Sequence, residues 1–323
     1  MNHTDTILYS RRDFGKLVAA GVPLSLALRA RADSKINGVQ IGAITYSFRT
    51  MSNPEDIIAA YKTLGLSEAE LMSNHAEALA GAPAGPAFGG GGRGRGQEMT
   101  DEQRAAMQKA QQERAEQMKQ WRSSVSMDKF KDVRKKFNDA GVDVRLLTYN
   151  MNVNNTKDDE IEYAFQLAQA LGVKAITTST QVSMAKRLAP FADKHHLMVG
   201  FHGHDQTDKP DEVSTEETFQ TVMAASKYLG ANLDIGHYTA ADGDPAAFIE
   251  KYHERITNLH LKDRKKNHGE NVPWGQGDTP IKQVLLLLKE KKYDIPANIE
   301  FEYGGDPVAE VGKCLEYCRQ VLA

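Results

Sequence analysis

The chain has 323 residues, 41% hydrophobic and 26% charged, enough to bury a sizeable core in one large α/β domain or two smaller ones. Its 40 basic and 43 acidic side chains leave a formal net charge of -3, which gives no general attraction to nucleic acid or to an acidic membrane surface. The two cysteines, Cys314 and Cys318, are four apart on an expected C-terminal helix, a spacing that reads as two buried thiols on one face and not as a metal motif.

In chain order the first element is an address rather than part of the fold. Ser10-Arg-Arg-Asp-Phe-Gly-Lys16 precedes an apolar stretch, 17–28, too short to span a bilayer, and Ala30-Arg-Ala32 offers small residues for cleavage. Residues 1–32 therefore resemble a bacterial twin-arginine export signal. The resemblance implies a periplasmic protein carried across folded, starting near Asp33, with no stable membrane insertion once the signal is removed.

Beyond it, β-like runs at 39–47, 68–73, 142–150, 174–180, 197–204, 231–237, 256–262 and 297–303 alternate with helical segments such as 128–140, 158–171, 216–229 and 281–291. Gly141, Gly172 and Gly230 stand at helix stops. Eight such units in a row favour a closed (β/α)8 TIM barrel over residues 36–323, which sends the chemistry to the C-terminal ends of the strands. One segment breaks the rhythm. Residues 81–124 read as an insertion after the second strand, flexible over the Gly-, Pro- and Arg-rich 81–96 and helical over 98–121. Its Arg-Gly-Arg-Gly run lacks the interleaved aromatics of an RNA-binding tract, so it is expected to be a solvated loop; a lid or a subunit contact is the alternative, which leaves a homo-oligomer open.

Residues two apart on a strand face the same way, so His202 with His204, His260 with Lys262, and Glu300 with Glu302 enter the barrel mouth in pairs. Asp234 and His237 are three apart and share a side only if the chain bends at Gly236. A lone histidine is usually a core residue with satisfied hydrogen bonds. Several of them, each beside a carboxylate at a strand end, point to a shared divalent transition ion, Mn, Zn, Co or Fe, better than to Ca or Mg. Tyr46, Glu70, Asn74 and His75, at the ends of the first two strands, suit a polyol pocket, though each alone is a surface group or a cap. Trp274 is either a stacking surface for a sugar ring or a loop anchor.

These residues carry a family resemblance. Leu233-Asp-Ile-Gly-His237, Leu259-His-Leu-Lys-Asp-Arg264, Pro273-Trp-Gly-Gln-Gly277 and Ile299-Glu300 are similar to motifs of the sugar phosphate isomerase/epimerase superfamily, the xylose isomerase-like barrels, and the likeness runs from Val39 to the C-terminus. It implies one metal ligand at the end of each of strands five to eight: Asp234, His260, Glu300, and His202 in place of a glutamate that in epimerases both binds metal and moves a proton. It also places His237 and Arg264 where substrate is touched. The histidine at 202 tells against a two-glutamate proton shuttle, and the sequence leaves open whether Glu300 or Glu302 contacts the ion.

The expected activity is a divalent-metal-dependent sugar isomerase or epimerase acting on a keto-sugar or polyol through an enediolate, with His204, Lys262 and Glu302 moving protons. A lyase or dehydratase on a keto-sugar or keto-glycoside shares the first step and is the runner-up. A non-catalytic periplasmic sugar-binding protein is the alternative of another class. The charge balance and the export signal argue against the superfamily's DNA-repair endonuclease branch. The expected partner is a small-molecule carbohydrate, without phosphate because no Gly loop opens a helix to cradle one.

Overall fold

The computed structural model describes residues 33–84 and 100–323; the expected export signal, 1–32, and the stretch 85–99 of the insertion lie outside the described residues. A short lead strand β1 (Lys35–Ile36) pairs antiparallel with β2 (Val39–Ile44). The turn between them needs Gly38, whose φ is 93°. From β2 onward every pairing is parallel. β3 (Glu68–Met72), β4 (Asp143–Thr148), β5 (Ala175–Thr178), β6 (Met198–His202), β7 (Leu229–Asp234), β8 (Ile256–Leu261) and β9 (Ala297–Ile299) each hydrogen-bond to the next, and β9 returns to β2 through Ile41↔Ala297 and Ala43↔Ile299. The eight strands β2–β9 thus close into a (β/α)8 TIM barrel in one domain.

The helices of the surrounding ring begin at recognisable signals. α1 (Pro54–Leu64) has Asn53 accepting from the Glu55 amide, proline in its first turn, and Gly65 at φ 73° as its stop. Next come α2 (Ser73–Leu79), α3 (Asp101–Ser124), α4 (Asp128–Asp139), α5 (Asp158–Leu171), α6 (Ala185–His195), α7 (Glu216–Ala225), α8 (Ile235–Ala240), α9 (Pro245–Tyr252), α10 (Ile281–Lys291) and α11 (Pro307–Leu322). Ile41, Leu71, Val144, Ile176, Val199, Leu233 and Leu259 of the strands join Tyr61, Phe137, Phe165, Leu188, Phe219, Leu285 and Leu315 of the helices in one contiguous core. Burying each such side chain stabilises the fold by roughly 1.5–3 kcal/mol. Cys314 and Cys318 are buried and unbridged on α11. No helix among the described residues is long and apolar enough to cross a membrane.

Four boundaries differ from the sequence reading for physical reasons. The strands end earlier than expected: Thr45–Phe48 winds into a 3-10 turn, Ile235–Ala240 is helix, and residues 300–303 are loop. Gly230, expected to stop a helix, lies inside β7, where any Cβ would stand 2.2 Å from the Arg255 carbonyl oxygen. The insertion helix α3 buries no residue and is held at its C-terminal end. There Arg122 pairs with Glu77 and Glu160, each at 2.7 Å, and Trp121 meets Phe130 edge-on at 6.1 Å.

Candidate metal centre

Four parallel strands deliver four side chains to one point. His202 and Asp234 are the last residues of β6 and β7, His260 is the penultimate residue of β8, and Glu300 follows β9 directly. Parallel register sets Asp234 beside His260. One ligand atom from each of His202, Asp234, His260 and Glu300 lies within 4.8 Å of the others, and all four residues are buried. The bend after Asp234 is built into the sequence: Asp234 caps α8 by accepting the His237 amide at 2.7 Å through Oδ1, which leaves Oδ2 turned to the cluster. Gly236 is required there, because a Cβ would come within 2.8 Å of the Lys262 carbonyl oxygen.

His202 Nδ1, Asp234 Oδ2, His260 Nδ1 and Glu300 Oε2 are buried and make no hydrogen bond of acceptable geometry. A buried polar atom without any partner costs roughly 1–3 kcal/mol; the Lys262 ammonium offsets part of that cost at Asp234 and Glu300, and all four atoms belong to one cluster. Two imidazole nitrogens and two carboxylate oxygens form a donor set that fits a divalent transition ion. The His202 ring supports the fit: burial, and then the neighbouring His204, hold its pKa well below the usual histidine value, so it is neutral and free to ligate.

Lys262 brings the site its fixed positive charge. Its Nζ lies 3.0 Å from Asp234 Oδ2, 2.8 Å from Glu300 Oε2 and 2.7 Å from Glu302 Oε2. Burial opposes that charge, but Asp234, Glu300 and Glu302 outweigh it and raise the pKa well above the lysine value. Burial would likewise raise Glu300, yet Lys262 and His260 hold its carboxyl well below the usual range. Lys262 is therefore held as an ammonium, a hydrogen-bond donor and electrostatic partner rather than a free base. Glu300, within the cluster, and Glu302, one step out on Lys262, take different places.

A second ring of histidines borders the first. The His204 ring lies 4.8 Å from His202 and 5.3 Å from His237. Glu212, which the sequence reading missed, bonds His204 Nδ1 at 2.6 Å, and Ser179 stands 3.3 Å from Nε2. Asp205, also missed, faces Arg264 at 2.9 and 3.1 Å and His237 at 3.1 Å; contact with His237 and then the guanidinium hold its carboxyl well below the usual value.

Four residues expected to touch a sugar are engaged elsewhere. Arg264 turns its guanidinium to Asp205, His237 and the Gly269 carbonyl, so it orders the rim rather than offering a free fork. Glu70 is fully buried below the rim, with donors on both oxygens. His75 Nδ1 bonds Thr45 Oγ1 at 3.0 Å, and burial lowers its pKa to about 4. Trp274 packs edge-on against Tyr317 of α11 at 5.7 Å, as a loop anchor. Its loop is gathered by Asp263, whose carboxylate accepts the amides of Gly275, Gly277 and Thr279. Asn74 is exposed on α2. Tyr46 is half-buried under the Arg49 guanidinium, and burial, then Glu302, raise its phenol pKa.

Fold and site together define a barrel protein with a histidine–carboxylate centre at the C-terminal rim. Residues 105–321 match the family described as Xylose isomerase-like TIM barrel, and the chain belongs to it. A stretch of 92 residues is 33% identical to L-ribulose-5-phosphate 3-epimerase UlaE of Escherichia coli; it spans 28% of this chain and 32% of that protein, about a third of the relative's length. Among solved structures, the probable 3-DHS dehydratase AsbF of Bacillus anthracis superposes with TM-score 0.60 at 14% identity, over 86% of this chain and 98% of that one. The IolI protein with a bound zinc atom superposes with TM-score 0.57 at 14% identity, over 88% and 96%. At such identities these two likenesses speak to the fold alone.

Proposed function

We propose that the protein is a divalent-metal-dependent isomerase or epimerase of a keto-sugar or polyol. The observation that carries this reading is the convergence of His202, Asp234, His260 and Glu300, each with one ligand atom within 4.8 Å of the others', at the barrel's catalytic end. The epimerase identity of UlaE and the zinc bound to IolI support it. Held by those four residues, a Mn, Zn, Co or Fe ion would polarise adjacent oxygens of a hydroxy-ketone and acidify the carbon between them. The protein's own groups then move the protons. His204, oriented by Glu212, is the base that faces the cluster. Lys262, kept charged by three carboxylates, donates a hydrogen bond to developing negative charge, and Glu302, which is partly exposed, relays protons to solvent.

A lyase or dehydratase outcome is the second reading, and His202 is what favours it. A neutral imidazole stands where a proton-shuttling glutamate would supply a second base on the opposite face, which leaves loss of a β-oxygen as the alternative to reprotonation. Export through the twin-arginine route to the periplasm accompanies both readings, on the strength of Ser10-Arg-Arg-Asp-Phe-Gly-Lys16.

The test is to strip the purified protein with chelator, reconstitute it with Zn or Mn, and follow conversion of a panel of free keto-sugars, their phosphates and keto-glycosides. Activity should vanish on stripping and return with metal. Full turnover by metal-free protein would contradict the proposal.

A further inference from the structure

Glu70 lies on β3, two residues beyond Glu68 on the same inward face, and is completely shielded from solvent. It is surrounded by donors from four other barrel strands. Thr148 and Thr177 hydroxyls donate to Oε1 at 3.0 and 2.6 Å. Asn258 and Asn298 amides donate to Oε2 at 2.9 Å each, and His260 Nε2 stands 2.8 Å from the same oxygen. With five donors and no acceptor aimed at it, the carboxylate accepts at both of its oxygens.

That arrangement dictates the state of His260. Facing an acceptor, Nε2 carries the proton; the lone pair of a neutral ring then falls on Nδ1, one of the four orphaned atoms, 3.1 Å from Glu300 Oε2. We infer that Glu70 is a positioning residue that locks the His260 ring from below and offers Nδ1, rather than Nε2, to the ion. This rests on the reading that the four-residue cluster holds a divalent ion. A carboxylate is required in this nest, because a carboxamide would bring two more N–H groups into a ring of five donors. Carboxylate–histidine pairs of this kind set ligand orientation and basicity, and their loss typically weakens metal binding about 10- to 100-fold.

The experiment uses the full chain with 15N-labelled histidine, titrated with zinc. In the wild-type protein the His260 resonances should show zinc on Nδ1 and a slowly exchanging proton on Nε2. Glu70→Gln should lose the slow Nε2 proton and bind zinc about 10- to 100-fold more weakly, while circular dichroism stays native. Zinc on Nε2 in the wild type overturns the inference even if the variant fails to fold. Equal zinc affinity in a folded Glu70→Gln variant overturns it as well. A wild-type protein that takes up no zinc at all overturns the metal reading itself, and this role with it.

Discussion

Two glutamates on β3, both buried and both facing the barrel interior, end in opposite states. Glu70, in the middle of the barrel, has five donors, and its carboxyl is held below the usual value. Glu68, one layer nearer the N-terminal end, is 4% exposed, has Arg145 only at 3.6 Å, and leaves Oε1 without a partner; burial pushes its pKa to about 8. Burial is common to both, so it does not decide the outcome. The number of donors does, because an unpaired buried charge costs several kcal/mol and a well-bonded one costs little. The rim applies the same rule a third way: Asp234 Oδ2 and Glu300 Oε2 share the single Lys262 ammonium, at 3.0 and 2.8 Å, and have no donor of their own.

The largest effect is expected where the missing partner is the ion. Glu300→Gln and Asp234→Asn each remove a ligating charge, so affinity for zinc in calorimetric titration should fall by more than the ~100-fold typical of an outer-sphere change. An unchanged affinity would remove the rim from the comparison.

Glu68→Gln tests the partner-poor acid. With a folded pKa of about 8 against an ordinary 4.5, the stability that goes with its proton is present in full below pH 4.5 and drains away as pH rises through 8. The glutamine variant has nothing to lose in that window. Its melting temperature should match the wild type at acid pH and exceed it by ~2 °C or more at pH 9; a gap that ignores pH would break the contrast between Glu68 and Glu70.

Asp263 represents the partner-rich case outside the barrel interior. Asp263→Ala should destabilise the fold by roughly 1–3 kcal/mol in denaturant melts, since three loop amides lose their acceptor, and should raise KM by loosening the rim. Trp274→Phe should do least: the ring keeps an edge contact with Tyr317, so KM should stay within about twofold. A tenfold rise would return Trp274 to the sugar site.

The alternation of β-like and helical runs made the barrel legible, and the period of two picked out which histidines and acids face inward. It did not give depth. His202 and Glu70 both face the interior, yet His202 reaches the rim and Glu70 sits beneath it, because strand stagger rather than alternation sets the layer. Nor did it give partners. Glu212 reaches His204 from eight residues along a loop, and the donors of Arg264 are consumed by Asp205 and Gly269 O from separate segments. A side chain read alone as a substrate contact can be fully occupied within the protein, and only three-dimensional neighbours show it. Strand ends were overrun for a related reason: hydrophobicity continues past the last ladder bond, as in Ile235, which is buried in helix rather than strand.

The central claim is that His202, Asp234, His260 and Glu300 grip one divalent cation. Anomalous diffraction from crystals soaked in zinc or manganese tests it most directly. The account predicts a single strong peak about 2.0–2.2 Å from one atom of each residue, with Lys262 beside it. A map with no peak there, or with metal only at surface carboxylates, would contradict it.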